Sequence, residues 1–285
     1  DDGLSIDDIY DRFFENNKIS DIGTENGSTI NEEWLGRISG WFEEINCRVL
    51  NYGDNYPFLY DGNRIKKIDN IGENHYIYIL LLLCSLLRYI NGYHFLTTLF
   101  EQISYAALKK YLPTTAEVHI FGVSSERNSR YSGSIEYKYN LLAQDLGLTR
   151  SNRPNVFRDG DNGDGGVDIV AWIPFRNDSN LDRKQIFLGQ SASGKNWANK
   201  QASVDRVKIY IMDLPSNAQN ILFVPYDFRD CNRYFCQSDE ITASIIFDRH
   251  RIINLININD INHSTWIEPI QEIIDYTLSF EEDII

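Results

Sequence analysis

Two rhythms of apolar and polar positions divide the chain. Up to about residue 112, apolar side chains recur every three or four residues in long blocks: IDDIYDRFFENN, NEEWLGRISGWFEEINCRVL, HYIYILLLLCSLLRYI and YHFLTTLFEQISYAALKKYL. That period predicts amphipathic or buried helices. Asn31 followed by two Glu suits a helix start, and Pro113 with the Thr pair after it suits a stop. The Gly, Asn and Asp clusters at 21–29 and 51–63 are expected to be connecting loops.

From residue 117 the apolar runs become short and are separated by turn residues: EVHIFGV, then VDIVAWI at 167–173, QIFLGQ at 185–190, NILFVPYDF and TASIIFDRHRIINLI. Between them lie a helical pattern at 134–146 and a second one from about 195. Alternating strands and helices predict an α/β core with a mixed sheet flanked by helices, preceded by an all-helical region. The expected division is 1–115 and 116–285, at a proline and a change of pattern together.

Composition adjusts this picture in three places. At 42% hydrophobic and 13% aromatic, 285 residues suffice for two packed cores. The longest apolar run, IYILLLLCSLL at 77–87, is closed by Arg88 and falls short of the ~20 residues a membrane span needs, so it is expected to be a buried helix, with no membrane partner. Cys47, Cys84, Cys231 and Cys236 form no C-x-x-C pair, and such sparse cysteines predict neither a disulfide framework nor a zinc site. A reducing cytoplasm is the expected setting.

A net charge of −14 argues against bulk binding of nucleic acid, whose affinity comes from Lys and Arg displacing counterions. The charge is uneven, however. Residues 183–208 hold six basic side chains (Arg183, Lys184, Lys195, Lys200, Arg206 and Lys208) against Asp205 alone. Lys195, Lys200 and Arg206 are therefore candidates for contact with a phosphate backbone, with a solvated helix face as the plain alternative.

Those charges adjoin the chemistry-bearing segment, GDGGVDIVAW at 163–172 and KQIFLGQSASGKNW at 184–197. Asp168 stands between Val167 and Ile169 at the start of a predicted strand, and Gln190 ends the next. A carboxylate pinned there is costly without a cation, and a hard divalent ion such as Mg²⁺ or Mn²⁺ would satisfy it. Asp161 and Asp164 are more simply turn residues.

On these residues the chain resembles the PD-(D/E)XK nuclease superfamily, in particular the Mrr-like restriction endonucleases, with their GxGGxD strand and following strand ending in Q-x-K. SIEYKYNLLAQDLGL at 134–148 is similar to that family's upstream helix, with Glu136 in the place of its acidic residue. The resemblance spans roughly 118–250. It implies a restriction-endonuclease-like mixed sheet and a metal site of Asp168, Glu136 and Gln190. It also implies cleavage of DNA in a prokaryotic restriction or anti-phage defence setting. The departure is Ala192, where the family carries lysine. Lys195, or failing it Lys200, is expected to replace that lysine. The alternative is a catalytically inactive scaffold binding DNA or a partner subunit, with the helical region mediating docking or homodimerisation.

GQSASGK at 189–195 also fits a phosphate loop, G-x-x-x-x-G-K, yet the next residue is Asn196 rather than Ser or Thr, and only 90 residues follow Lys195. The five histidines show no H-x-x-x-H or H-E-x-x-H spacing, and no G-x-S-x-G occurs, which excludes the commonest zinc and serine hydrolase patterns.

Overall fold

The structure is a computed structural model describing residues 3–15, 27–87 (27–29 as backbone only), 95–121, 130–157, 163–178, 180–194, 196–236, 238–242, 245–261 and 272–275. It is a mixed α/β protein that divides into two compact units, one of residues 1–80, 228–236 and 263–285, the other of residues 81–227 and 237–262.

The first unit opens with β1 (Leu4–Ser5), α1 (Ile6–Glu15) and α2 (Gly27–Tyr52), followed by β2 (Phe58–Tyr60), β3 (Arg64–Lys67) and the first part of α3 (Glu73–Ser85). Ser5 and Asp8 start α1 reciprocally: Ser5 N–H donates to Asp8 Oδ2 at 2.8 Å and Asp8 N–H to Ser5 Oγ at 3.1 Å. The strands pair antiparallel in the order β1-β3-β2. An all-helical N-terminal region was expected, and this sheet corrects that. Its strands are two to four residues long, and Arg64-Ile65-Lys66-Lys67 presents charge where a strand pattern would alternate. The hairpin turns because Asp61 Oδ1 accepts from Asn63 and Arg64 N–H at 2.9 and 2.8 Å while Gly62 takes φ +99°. Cys47 of α2 is disulfide-bonded to Cys231, 184 residues away. That pairing removes the cysteine argument for a reducing compartment. Among the described residues, no helix is long and apolar enough to cross a membrane.

The second unit carries α4 (Phe95–Tyr111), β4 (Glu117–Ile120), α5 (Ile135–Leu146), β5 (Ile169–Ile173) and β6 (Gln185–Ser191). A 3-10 turn at Trp197–Lys200, α6 (Ser203–Tyr210), β7 (Gln219–Phe223), β8 (Ile245–Phe247), α7 (Arg249–Ile253) and a 3-10 turn at Ile258–Asp260 follow. The five strands lie in sequence order, β4-β5-β6-β7-β8. The first three form an antiparallel meander, and α6 carries the chain from β6 to a parallel β7, which pairs parallel with β8.

Both faces of the central strands are covered, which is why their sequences are nearly continuous apolar runs. Val170, Trp172, Ile186 and Leu188 pack with Ile135, Tyr139, Leu142 and Leu146 of α5 and Val204 and Val207 of α6. Alternation leaves Ile169, Ala171 and Gly189 to the opposite face, and α4 packs on β4, β6 and α7. α5 begins at Ser134, whose side chain accepts from Tyr137 N–H, and ends at Gly147 with φ +68°.

Two expected boundaries differ. The helix expected from residue 195 is broken: α6 starts only at Ser203, with Val204 N–H held by Asn220 Oδ1 at 2.7 Å. The units divide inside α3, between Leu80 and Leu81, rather than near 115. Pro113 marks a change of secondary structure, whereas α4 on its N-terminal side packs with the sheet.

Candidate functional site

The turn ahead of β5 is built by its glycines and held by α5. Asp164 Oδ1 accepts from Gly166 N–H at 2.6 Å, and Gly165 and Gly166 take φ +65° and +85°. From α5, Lys138 Nζ donates to the Gly163 carbonyl at 3.3 Å and Tyr139 O–H to the Asp164 carbonyl at 3.0 Å. A Cβ on Gly165 would stand 2.6 Å from the Tyr139 hydroxyl and 2.7 Å from the Tyr210 ring. Gly165→Ala is therefore expected to destabilise the protein by about 2–3 kcal/mol through clash and left-handed backbone strain, measured as the fall in urea midpoint. An unchanged midpoint would contradict this packing.

That turn delivers Asp168 into the sheet. Its N–H donates to the Gly189 carbonyl at 2.9 Å and its own carbonyl accepts from Phe121 N–H at 2.7 Å. The regular pairing of β5 with β6 ends at Ile169 and Gly189, and the Asp168 N–H shares the Gly189 carbonyl one residue off that register, a bulge-like departure at the end of the strand. Asp168 is 8% exposed and Gln190 6%. Asp168 Oδ2 accepts from Ser191 N–H at 2.6 Å, whereas Gln190 Oε1 is buried with no hydrogen-bond partner. Burial pushes the Asp168 carboxyl up to about 7; the Ser191 hydrogen bond opposes this, the Asp164 charge adds to it, and the Lys200 charge also opposes it.

A second acid joins from α4. Burial, then the charges of Asp168 and Asp164, push Glu101 up to about 8, against the lowering effect of Lys138. Lys138 is itself buried, at 2% exposure. Asp168 and Glu101 are thus two carboxyls raised by burial, with the charge of Asp168 holding Glu101 higher still and Lys138 opposing it.

Of the residues expected from sequence, Asp168 and Gln190 are both buried at the ends of neighbouring strands, and Lys200 acts electrostatically on Asp168. Glu136 is elsewhere. Its side chain is 56% exposed and ion-paired with Arg150, because on a helix it points about 200° from Lys138. Arg206 is exposed, with its guanidinium over Gly166. Lys195 and Asp161 lie outside the described residues. Lys184 is buried and spent on the Asp145 carbonyl at 2.9 Å, and Lys208 pairs with Asp205. Trp172 and Trp197 are buried, as packing residues should be.

Sequence reading missed Glu101 and Lys138, though each left a signal. Glu101 is the sole acidic residue of α4. Lys138 falls on the apolar stripe of Ile135, Tyr139 and Leu142, where a solvated lysine would not belong.

The donor types are those a hard cation accepts. Among the described residues, no three His, Cys, Asp or Glu side chains form a cage by themselves. Two carboxyls and an amide oxygen, with water and phosphate completing the shell, are nevertheless the oxygen set Mg²⁺ and Mn²⁺ accept. The phosphate-loop pattern finds less in the structure. The lysine is followed by a 3-10 turn rather than an α-helix, and Ala192 N–H already donates to the Phe223 carbonyl at 2.8 Å, so the helix N-terminus that would cradle phosphate is missing. Comparison of the chain with protein-family models, curated proteins and solved structures finds no match.

Proposed function

We propose that the chain is a metal-dependent endonuclease that cleaves DNA phosphodiesters, with its second unit a restriction-endonuclease-like core and a role in prokaryotic restriction or anti-phage defence. The observation that carries the reading is a buried carboxyl, Asp168, and a buried amide oxygen without a partner, Gln190 Oε1, at the ends of two paired antiparallel strands. Each is a group that a bound cation would satisfy. The meander β4-β5-β6 followed by a helical crossover to a parallel β7 supports it further.

In this reading Asp168, Glu101 and Gln190 hold Mg²⁺ or Mn²⁺. The ion would supply an activated water and offset charge on the phosphoryl group. Asp168 is aimed by its Ser191 hydrogen bond, and Lys200 adds positive charge. The buried surroundings strengthen each of these interactions. A noncatalytic scaffold is favoured by one observation: Ala192 is fully buried where the resemblance expects lysine.

Incubation of supercoiled plasmid with the purified protein separates the two. Nicking or linearisation that requires Mg²⁺ or Mn²⁺ and stops with chelator is expected. Plasmid left intact by a protein that also shows no Asp168-dependent binding of Mn²⁺ would overturn the nuclease reading.

A further inference from the structure

Resting on the nuclease reading, we propose that Lys138 supplies the positive charge that β6 lacks at Ala192. A buried lysine is rare, because its ammonium loses hydration, and Lys138 is among the most deeply buried large side chains of the protein. It is held at the turn that leads into β5. Its Nζ donates to the carbonyl of Gly163, in the turn that delivers Asp168. It also lies 6.0 Å from the Phe121 ring centroid, and Phe121 N–H is bonded to the Asp168 carbonyl. Its charge bears on Glu101, which in turn feels Asp168. Ala192 is fully buried on a backbone fixed to Phe223, so the slot on β6 is closed and the cation arrives from α5.

The step it would serve is ordinary hydrolysis. The oxygen of water bonds to phosphorus as the bond from phosphorus to the leaving sugar oxygen breaks. The proton given up by the water goes to solvent, and the leaving oxygen takes one back. Lys138 offsets the negative charge that grows on the non-bridging oxygens. The plain alternative is a clamp on the Gly163 turn, a task that Tyr139 shares.

Lys138→Met keeps the stem and removes the charge, Lys138→Arg keeps the charge, and Tyr139→Phe loosens the same turn. Plasmid cleavage, Mn²⁺ affinity by electron paramagnetic resonance and thermal melting are measured for each, beside Lys200→Met. Lys138→Met is expected to lower cleavage by ~10²-fold or more while Mn²⁺ binds more tightly, since a like charge has gone, and Lys138→Arg should recover part of the rate. Weaker Mn²⁺ binding in Lys138→Met, matched by Tyr139→Phe, would mean a clamp. Loss confined to Lys200→Met would also overturn the assignment. Absence of Asp168-dependent Mn²⁺ binding in the unaltered protein would remove the nuclease reading itself. If metal binds but plasmid survives, the Mn²⁺ affinities still decide: tightening supports Lys138 and weakening or no change refutes it.

Discussion

Asp168→Asn is expected to abolish metal-dependent cleavage and, without divalent cation at pH 8, to raise the melting temperature. Both effects have one origin. The Asp168 carboxyl is moved by burial from an ordinary value of 3.8 to about 7, so the folded state prefers it protonated. Between those two values the unfolded chain has released its proton while the folded protein keeps it. Stability is therefore greatest below the lower value and falls as pH rises through about 7. Glu101, raised from 4.5 to about 8, adds in the same direction. Asn removes the ionisation and still accepts from Ser191 N–H. The melting temperature of the variant relative to the unaltered protein should thus increase between pH 5 and pH 8, on the order of 5 °C. Mn²⁺ should then reverse the order, because it binds only where the carboxylate is present. Cleavage should fall by about 10³-fold, equivalent to about 4 kcal/mol. A melting difference that does not change with pH would show that Asp168 is not strained by burial. Retained cleavage would remove it from the reaction.

What sequence could reveal of this protein follows from the range of each signal. β5, β6 and α5 were legible because burial writes itself locally: two strands covered on both faces become apolar runs, and α5 carries a cap at Ser134 and a glycine stop at Gly147. Asp168 and Gln190 were legible for the same reason, since each is fixed by the strand it terminates. The N-terminal sheet was not, because strands as short as Leu4–Ser5 have no period to detect. Nor could spacing show that Cys47 meets Cys231, a contact made only by the folded chain. The second carboxylate failed in a more instructive way. A motif is one-dimensional, and Glu136 keeps the expected distance from Gly147 while its place on the helix sends it to solvent. The acid that does feel the charge of Asp168 comes from α4, an element assigned from sequence to another domain.

Glu101→Gln against Glu136→Gln is the experiment that separates the two assignments. If Glu101 is the second acid of the site, its isosteric amide should cost Mn²⁺ affinity about 10-fold and cleavage about 10²-fold. Apo stability at pH 8 should not suffer, because a buried carboxyl has become neutral. Glu136→Gln removes one surface ion pair with Arg150, whose guanidinium keeps its stacking on Phe157, with 5.2 Å between Cζ and the ring centroid. Such a pair is worth at most about 1 kcal/mol, and cleavage should stay within about 2-fold of the unaltered protein. The opposite pattern, with Glu136→Gln inactive and Glu101→Gln silent, would require α5 to turn by about half a revolution to bring residue 136 inward. Lys138 and Tyr139 would then be drawn away from the Gly163–Asp164 turn that positions Asp168. The contrast therefore tests the packing of α5 as well as the chemistry of the site, since a helix that exposes Glu136 must bury Lys138.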